Sequence, residues 1–222
     1  MKKILLFASA LAGLFLAGSC QKENLEPAAQ GGVTYEISLP GGPQTKGELG
    51  YDFYDLHYEV YKTATADATE LAKAPLLFEK TVTMKGNTTT VTLDLLNDQD
   101  YTVLFWANKQ NMDYFDLTDL RKVGVKQASA NNDDRDAFCG KDQIVQHDGA
   151  QSKTVELKRP FAQINIATLV PTVAKIGYDV TPLSSLVKVK NIPVKYNVFT
   201  GEPVGDAVEV DYTVNIIPEG NL

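Results

Sequence analysis

Few side chains in this sequence are placed for covalent or acid–base chemistry, and Cys20 has the strongest context. It follows Leu16-Ala17-Gly18-Ser19, a run whose small residues suit a signal-peptidase cleft. Upstream, Met1, Lys2 and Lys3 form a short basic region, and Ile4 to Leu16 is an apolar run. That run is shorter than the ~20 apolar residues needed to span a bilayer, but it has the length of a signal-peptide core. The arrangement is a lipobox: residues 1–19 are expected to be removed and the Cys20 thiol to carry a diacylglyceryl group as a thioether. One acyl chain holds a membrane only marginally, at about 0.8 kcal/mol per buried CH₂, so a durable anchor takes two or three.

The other candidates are weaker. His57 and His147 are the only imidazoles, and His57 falls on the polar side of an alternating strand pattern. Asp113, Asp116 and Asp119, and then Asp133, Asp134 and Asp136, offer oxygens for Ca²⁺, but neither set follows the D-x-D-x-D-G loop. A helix start and a solvated loop explain them more simply. Cys139, between Phe138 and Gly140, has no histidine near it in sequence and is expected to be a small buried residue. Neither a nucleophile elbow, nor an H-E-x-x-H pair, nor a phosphate-cradling glycine loop occurs. Trp106, Tyr101 and Phe105 are the residues for a sugar-stacking platform, yet they lie in the most apolar segment, which favours core packing. The expectation is a non-enzyme with no cofactor and no metal.

The elements that position these residues are mostly strands. The formal charge of the 222 residues is −7, and removing residues 1–19 takes away two lysines and no acid. An acidic chain lacks the clustered Lys and Arg that nucleic acid demands. With Cys20 acylated, Cys139 is the remaining thiol, so no intrachain disulfide forms and stability must come from packing. Gln21 to Gly32 is polar, contains Pro27 and ends in Gly31-Gly32, as a tether would. Beyond it, apolar residues recur with period two. Val33, Tyr35, Ile37 and Leu39 make one strand, stopped by Pro40-Gly41-Gly42-Pro43. Tyr54 to Val60 and Val91 to Leu95 alternate likewise, while Tyr101 to Ala107 is apolar on both faces and is expected to be a central, doubly covered strand. Further strands are predicted at Thr154 to Lys158, Phe161 to Thr168, Leu186 to Lys190 and Ala207 to Ile217, the last with Val208, Val210, Tyr212, Val214 and Ile216 facing inward. Asp116 to Lys122, acids first and bases last, is the predicted short helix. Lys158-Arg159-Pro160 marks a seam, because proline does not sit within a central ladder. The pattern predicts an all-β fold of antiparallel sandwich type. The segment from about Val173 onward either forms a second sandwich or completes the first.

Several pieces together carry a resemblance: LNDQDYTVLFWANK (96–109), YFDLTDLRKV (114–123), DAFCG (136–140), LKRPFAQINIAT (157–168) and NVFTGE (197–202). With the lipobox, they resemble Bacteroidales fimbrillin-like surface lipoproteins, which include subunits and anchors of type V pili. The resemblance implies two transthyretin-like β-sandwich domains, the first at 33–170 with a short helix and the second at 171–222. It also implies assembly by exchange of a β-strand between subunits. Gln21, Lys22, Glu23 and Asn24 resemble the charged signal that sends such lipoproteins to the outer face of the outer membrane. Lys46, in Gln44-Thr45-Lys46-Gly47, falls where a trypsin-like protease cuts fimbrillins, though most of them carry Arg there. Relatives often continue past a strand like VDYTVNIIP, so the second domain is expected to be incomplete or the chain cut short. Two function classes follow: a fimbrillin-like structural or adhesive subunit or anchor, with a host ligand as its target, or a glycan-binding surface lipoprotein that assists nutrient uptake.

Overall fold

The computed structural model describes residues 30–40, 53–126, 133–162 and 185–214. Eleven strands account for most of them: β1 (Gln30–Ser38), β2 (Phe53–Tyr61), β3 (Leu76–Lys85), β4 (Thr88–Leu96), β5 (Tyr101–Lys109), β6 (Phe115–Asp116), β7 (Val123–Val125), β8 (Ala137–Ile144), β9 (Gln151–Glu156), β10 (Ser185–Asn197) and β11 (Glu202–Val214). The fold is all-β, as the alternation predicts. Among the described residues helix is limited to α1 (Ala68–Lys73) and two 3₁₀ turns, Leu120–Lys122 and Asp133–Arg135.

Among the described residues three sheets form, with strand orders β4-β1-β9, β3-β2-β5-β8 and β11-β10-β7-β6. Pairing is antiparallel except between β1 and β9, which run parallel from Val33↔Gln151 to Ser38↔Glu156. The β3-β2-β5-β8 sheet is central. On one face Tyr54, Leu56, Tyr58, Val60, Val103 and Phe105 meet Val33, Tyr35, Ile37, Val91 and Leu93 of the β4-β1-β9 sheet and Leu157 just past β9. On the other, Tyr61, Leu104, Trp106 and Cys139 meet Leu71 of α1, Phe115, Leu120, Val123, Tyr196 near the end of β10, and Val198 and Phe199 of the β10–β11 turn. β5 is buried from Tyr101 through Asn108, so the doubly covered strand read from YTVLFWA is observed.

The strand bounds differ from the sequence in instructive ways. β1 starts at Gln30, three residues before Val33, because Gly31 and Gly32 pair with Leu95 and Asp94. Gly31 lies so close to Gly149 that an added Cβ would sit 2.4 Å from its carbonyl oxygen, which only glycine avoids. The helix expected over Asp116–Lys122 is not α-helical. Phe115 and Asp116 pair with Val125 and Gly124, leaving too few residues between for two helical turns, and Asp119 caps a 3₁₀ turn instead. The α-helix lies at Ala68–Lys73, where Asp67 accepts from the Thr69 amide at 2.7 Å.

The inward face expected along β11 is also corrected. Val208 is 38% exposed, and Val210 and Tyr212 are half-buried. The β10–β11 ribbon meets the central sheet mainly at its turn. Its register shifts between Val189 and Ile192 and again between Pro193 and Lys195, next to a proline that lacks the N–H of a regular ladder. Part of the strand predicted over 161–168 lies outside the described residues.

Candidate functional site

Two regions are candidates for a functional site. The first is the slot that β1 occupies. β1 is the middle strand of its sheet, pairing along its whole length with β4, from Gln30↔Leu96 to Ser38↔Thr88, and with β9 on its other side. Val33, Tyr35 and Ile37 are wholly buried. The Tyr35 hydroxyl donates to Asp142 Oδ2 at 2.9 Å, and Lys153 Nζ reaches the same oxygen at 2.6 Å. Burial, reinforced by that carboxylate, pushes the Tyr35 phenol well above its ordinary pKa. β4 and β9 pair with β1 rather than with each other, so withdrawing β1 would leave a slot one strand wide, walled by unpaired backbone groups.

A second opening lies at β3. Among the described residues β3 pairs only with β2, so it is an edge of the central sheet. Leu76, Leu77 and Phe78, consecutive on this edge, are all exposed.

The second region sits on the face of the central sheet away from β1. Glu59 of β2 is wholly buried. Its two oxygens accept the Leu120 N–H at 3.1 and 3.0 Å, and Oε2 also accepts the Tyr61 hydroxyl. Burial and then this hydrogen bond hold the Tyr61 phenol far above its usual value. The Arg121 guanidinium stacks over the Tyr61 ring at 4.6 Å, is held by Asp119, and donates to the Leu71 and Ala72 carbonyls at the end of α1. His57, also buried, bonds Thr81 Oγ1 through Nδ1 at 2.9 Å, and its Nε2 lies 3.8 Å from Glu59 Oε1. Ligand atoms of His57, Glu59 and Glu79 lie within 4.8 Å of one another.

Cys20, the Gln21-Lys22-Glu23-Asn24 segment and Lys46 lie outside the described residues. Trp106, Phe105 and Tyr101 are buried in the two cores, not displayed as a platform. A shallow depression of about 340 Å³ lined by Lys62, Thr63, Asp98, Gln99, Asp100 and Gln146 carries no aromatic ring. Cys139 is buried, and its thiol is pushed up by that burial. The aspartates are scattered into local tasks: Asp113 pairs with Lys126, Asp116 accepts from the Thr118 amide, Asp134 pairs with Lys109, and Asp136 accepts from Arg159 Nε and Nη2.

Alternation puts His57 on the polar side of its strand and passes over Glu59. A signal was available. If β5 is covered on both faces, the neighbouring strand's second face is covered too, and its polar residues must be buried with partners.

No curated protein matches the chain in sequence. A crystal structure from Bacteroides ovatus, described as "a putative adhesin", is similar in fold at TM-score 0.50 and 16% identity, over 86% of this chain. The chain spans 63% of that protein's length. A fimbrial assembly protein from Parabacteroides distasonis aligns over 77% of this chain and 67% of its own, at 12% identity and TM-score 0.33. The family model of a family of unknown function, DUF6562, matches residues 26–221, and the chain belongs to that family.

Proposed function

We propose that this chain is an outer-membrane surface lipoprotein, anchored through Cys20, that serves as a fimbrillin-like structural or adhesive subunit or anchor of a pilus built by β-strand exchange. It works by binding and not by catalysis. The observation that carries this reading is the position of β1, a full-length middle strand near the N-terminal end of the chain. Residues 41–52, which include Lys46, connect it to β2. Burying each of Val33, Tyr35 and Ile37 contributes about 1.5–3 kcal/mol. Their joint loss is comparable with the roughly 5–15 kcal/mol by which a domain is stable. A chain cut after Lys46 therefore needs a replacement strand with the same alternation, and a second subunit is a source of one. An anchor subunit would instead keep both β1 and its lipid. The adhesin described for Bacteroides ovatus, similar in fold, is in keeping with this class of role.

The test is to treat the purified protein with a trypsin-like protease and follow its size by light scattering. Higher oligomers that need the cut, and that are lost in Lys46→Ala, are expected of a polymerising subunit. A cleaved product that stays folded and monomeric would overturn strand exchange for this chain.

A further inference from the structure

We infer that His57, Glu59 and Glu79 form a binding site for one divalent transition cation of the zinc type, joining the central strand β2 to the edge strand β3. The register creates it. Glu59 and Glu79 are direct cross-strand partners, and His57 faces Thr81 two residues along. Side chains two apart on a strand share a face, so the three ligands converge on one side of the sheet. Two carboxylates placed directly opposite each other repel, and an edge strand had many other residues to offer there. A cation between them turns the repulsion into attraction.

The second observation is the state of the imidazole. His57 is 8% exposed, and its Nε2 is buried with no hydrogen-bond partner among the described residues. That nitrogen faces Glu59, 3.8 Å from its Oε1. The distance is too long for a hydrogen bond. A tetrahedral ion with bonds of about 2.0–2.2 Å needs its ligands roughly 3.3–3.6 Å apart, so binding draws His57 and Glu59 a few tenths of an ångström together, and Glu79, whose ligand atom lies within 4.8 Å of theirs, closes onto the ion from the edge strand. With Nδ1–H donated to Thr81 Oγ1, Nε2 presents its lone pair to the site, the outer-shell arrangement that orients metal-bound imidazoles. Glu59 is oriented in the same way by the Leu120 amide and the Tyr61 hydroxyl.

The donor set selects the ion. One imidazole nitrogen and two carboxylates suit zinc and its neighbours, whereas Ca²⁺ takes six to eight oxygens. Glu79 is exposed and supplies the route of entry, leaving a fourth position for water. The site lies on the opposite face of the central sheet from β1, so its occupancy is independent of strand exchange.

The test uses the full chain, untagged and in detergent, titrated with ZnSO₄ by calorimetry and by NMR of its two histidines. One zinc per chain is expected, with the His57 imidazole resonances shifting and His147 serving as an unshifted control. Glu79→Gln, an exposed substitution, and His57→Gln should each weaken binding at least about tenfold and remove the zinc-dependent rise in Tm. If His57→Gln fails to fold, Glu79→Gln decides by itself. Absence of stoichiometric binding, binding indifferent to Glu79→Gln, or shifts that leave His57 untouched would each overturn the site. None of these outcomes touches protease-dependent oligomerisation, so failure here and failure of the assembly reading are separable.

Discussion

The face of the central sheet that meets β4-β1-β9 is apolar from Leu56 and Val60 across Val103 and Phe105, and its hydroxyls reach the rim. Tyr35 bonds Asp142, and Tyr101 bonds the Leu96 backbone. The opposite face is buried too, yet His57, Glu59, Thr102 and Asn108 lie there among Leu104 and Trp106. Each of those side chains makes at least one bond to a neighbouring element or its own strand, while His57 Nε2 and Asn108 Oδ1 have no hydrogen-bond partner among the described residues. One core is therefore held by volume and the other by volume plus directed bonds. The first asks of its strands mainly apolar alternation, with the Tyr35–Asp142 bond at its rim. The second fixes particular partners, Leu120, Arg121 and the β10–β11 turn.

The largest effects should come from the two aromatic neighbours on β5 that point to opposite faces. Phe105 touches Tyr35 and Tyr58, with ring centroids 5.3 and 6.4 Å away. Trp106 touches Phe115, Phe161 and Tyr196 at 5.1, 6.1 and 6.4 Å. Phe105→Ala and Trp106→Ala should each cost about 3–5 kcal/mol. They should differ in kind. Phe105→Ala lowers the urea midpoint of one global transition, whereas Trp106→Ala also loosens the root of β10–β11. Limited proteolysis would then cut within 185–214 while near-ultraviolet tyrosine dichroism of the sandwich persists. Equal protection of the ribbon in both variants would show that the two cores unfold as one, and the contrast between the faces would fail.

A smaller effect is expected at Glu59. Glu59→Leu removes the acceptor for the Leu120 amide and the Tyr61 hydroxyl, both buried. Orphaned donors cost roughly 1–3 kcal/mol apiece, so a loss of about 2–4 kcal/mol is expected despite the gain in apolar area. Glu59→Gln keeps one oxygen and should lose less. A Glu59→Leu protein as stable as the parent, by urea unfolding at neutral pH, would mean that this face too is held by volume alone.

How much of this was legible follows from the same contrast. Alternation in Val33–Leu39, Tyr54–Val60 and Val91–Leu95 gives the first core directly, because an apolar core needs only the right period. YTVLFWA gives the double covering. The second face was misread at His57 because alternation equates polar with exposed, and that equation fails once a third layer covers the sheet. α1 was missed for a different reason. Only Leu71 is buried on it, so no periodic signal exists, although Asp67, Glu70 and Pro75 bracket it with capping and stop residues. Over Asp116–Lys122 the charge order was a true signal for a capped turn. Strand pairing at Phe115 and Val123 allowed only the 3₁₀ form. Along β11, alternation was present but nothing among the described residues covers most of that face.

The smallest expected effect lies at the rim of the second face, at Asp119. Burial pulls its carboxyl upward, but the Arg121 side chain and amide, with the positive charges of Arg121 and Lys122, outweigh this and hold it below its ordinary 3.8. A depressed folded value means that the contribution is fully present above the unfolded pKa and is lost as pH falls through the lower folded one. Asp119→Ala removes the cap on the 3₁₀ turn and frees Arg121 from its place over Tyr61, and should cost about 1 kcal/mol at neutral pH. Urea unfolding repeated from pH 7 downward should show the gap between parent and Asp119→Ala shrinking below about pH 4 as the parent's carboxyl protonates. Ile37→Val on the first face, costing about 0.5–1.5 kcal/mol, should keep the same gap at every pH, since it removes only a methylene. A pH-independent Asp119→Ala gap would assign that residue to packing and erase the distinction between a face held by directed charge and one held by volume.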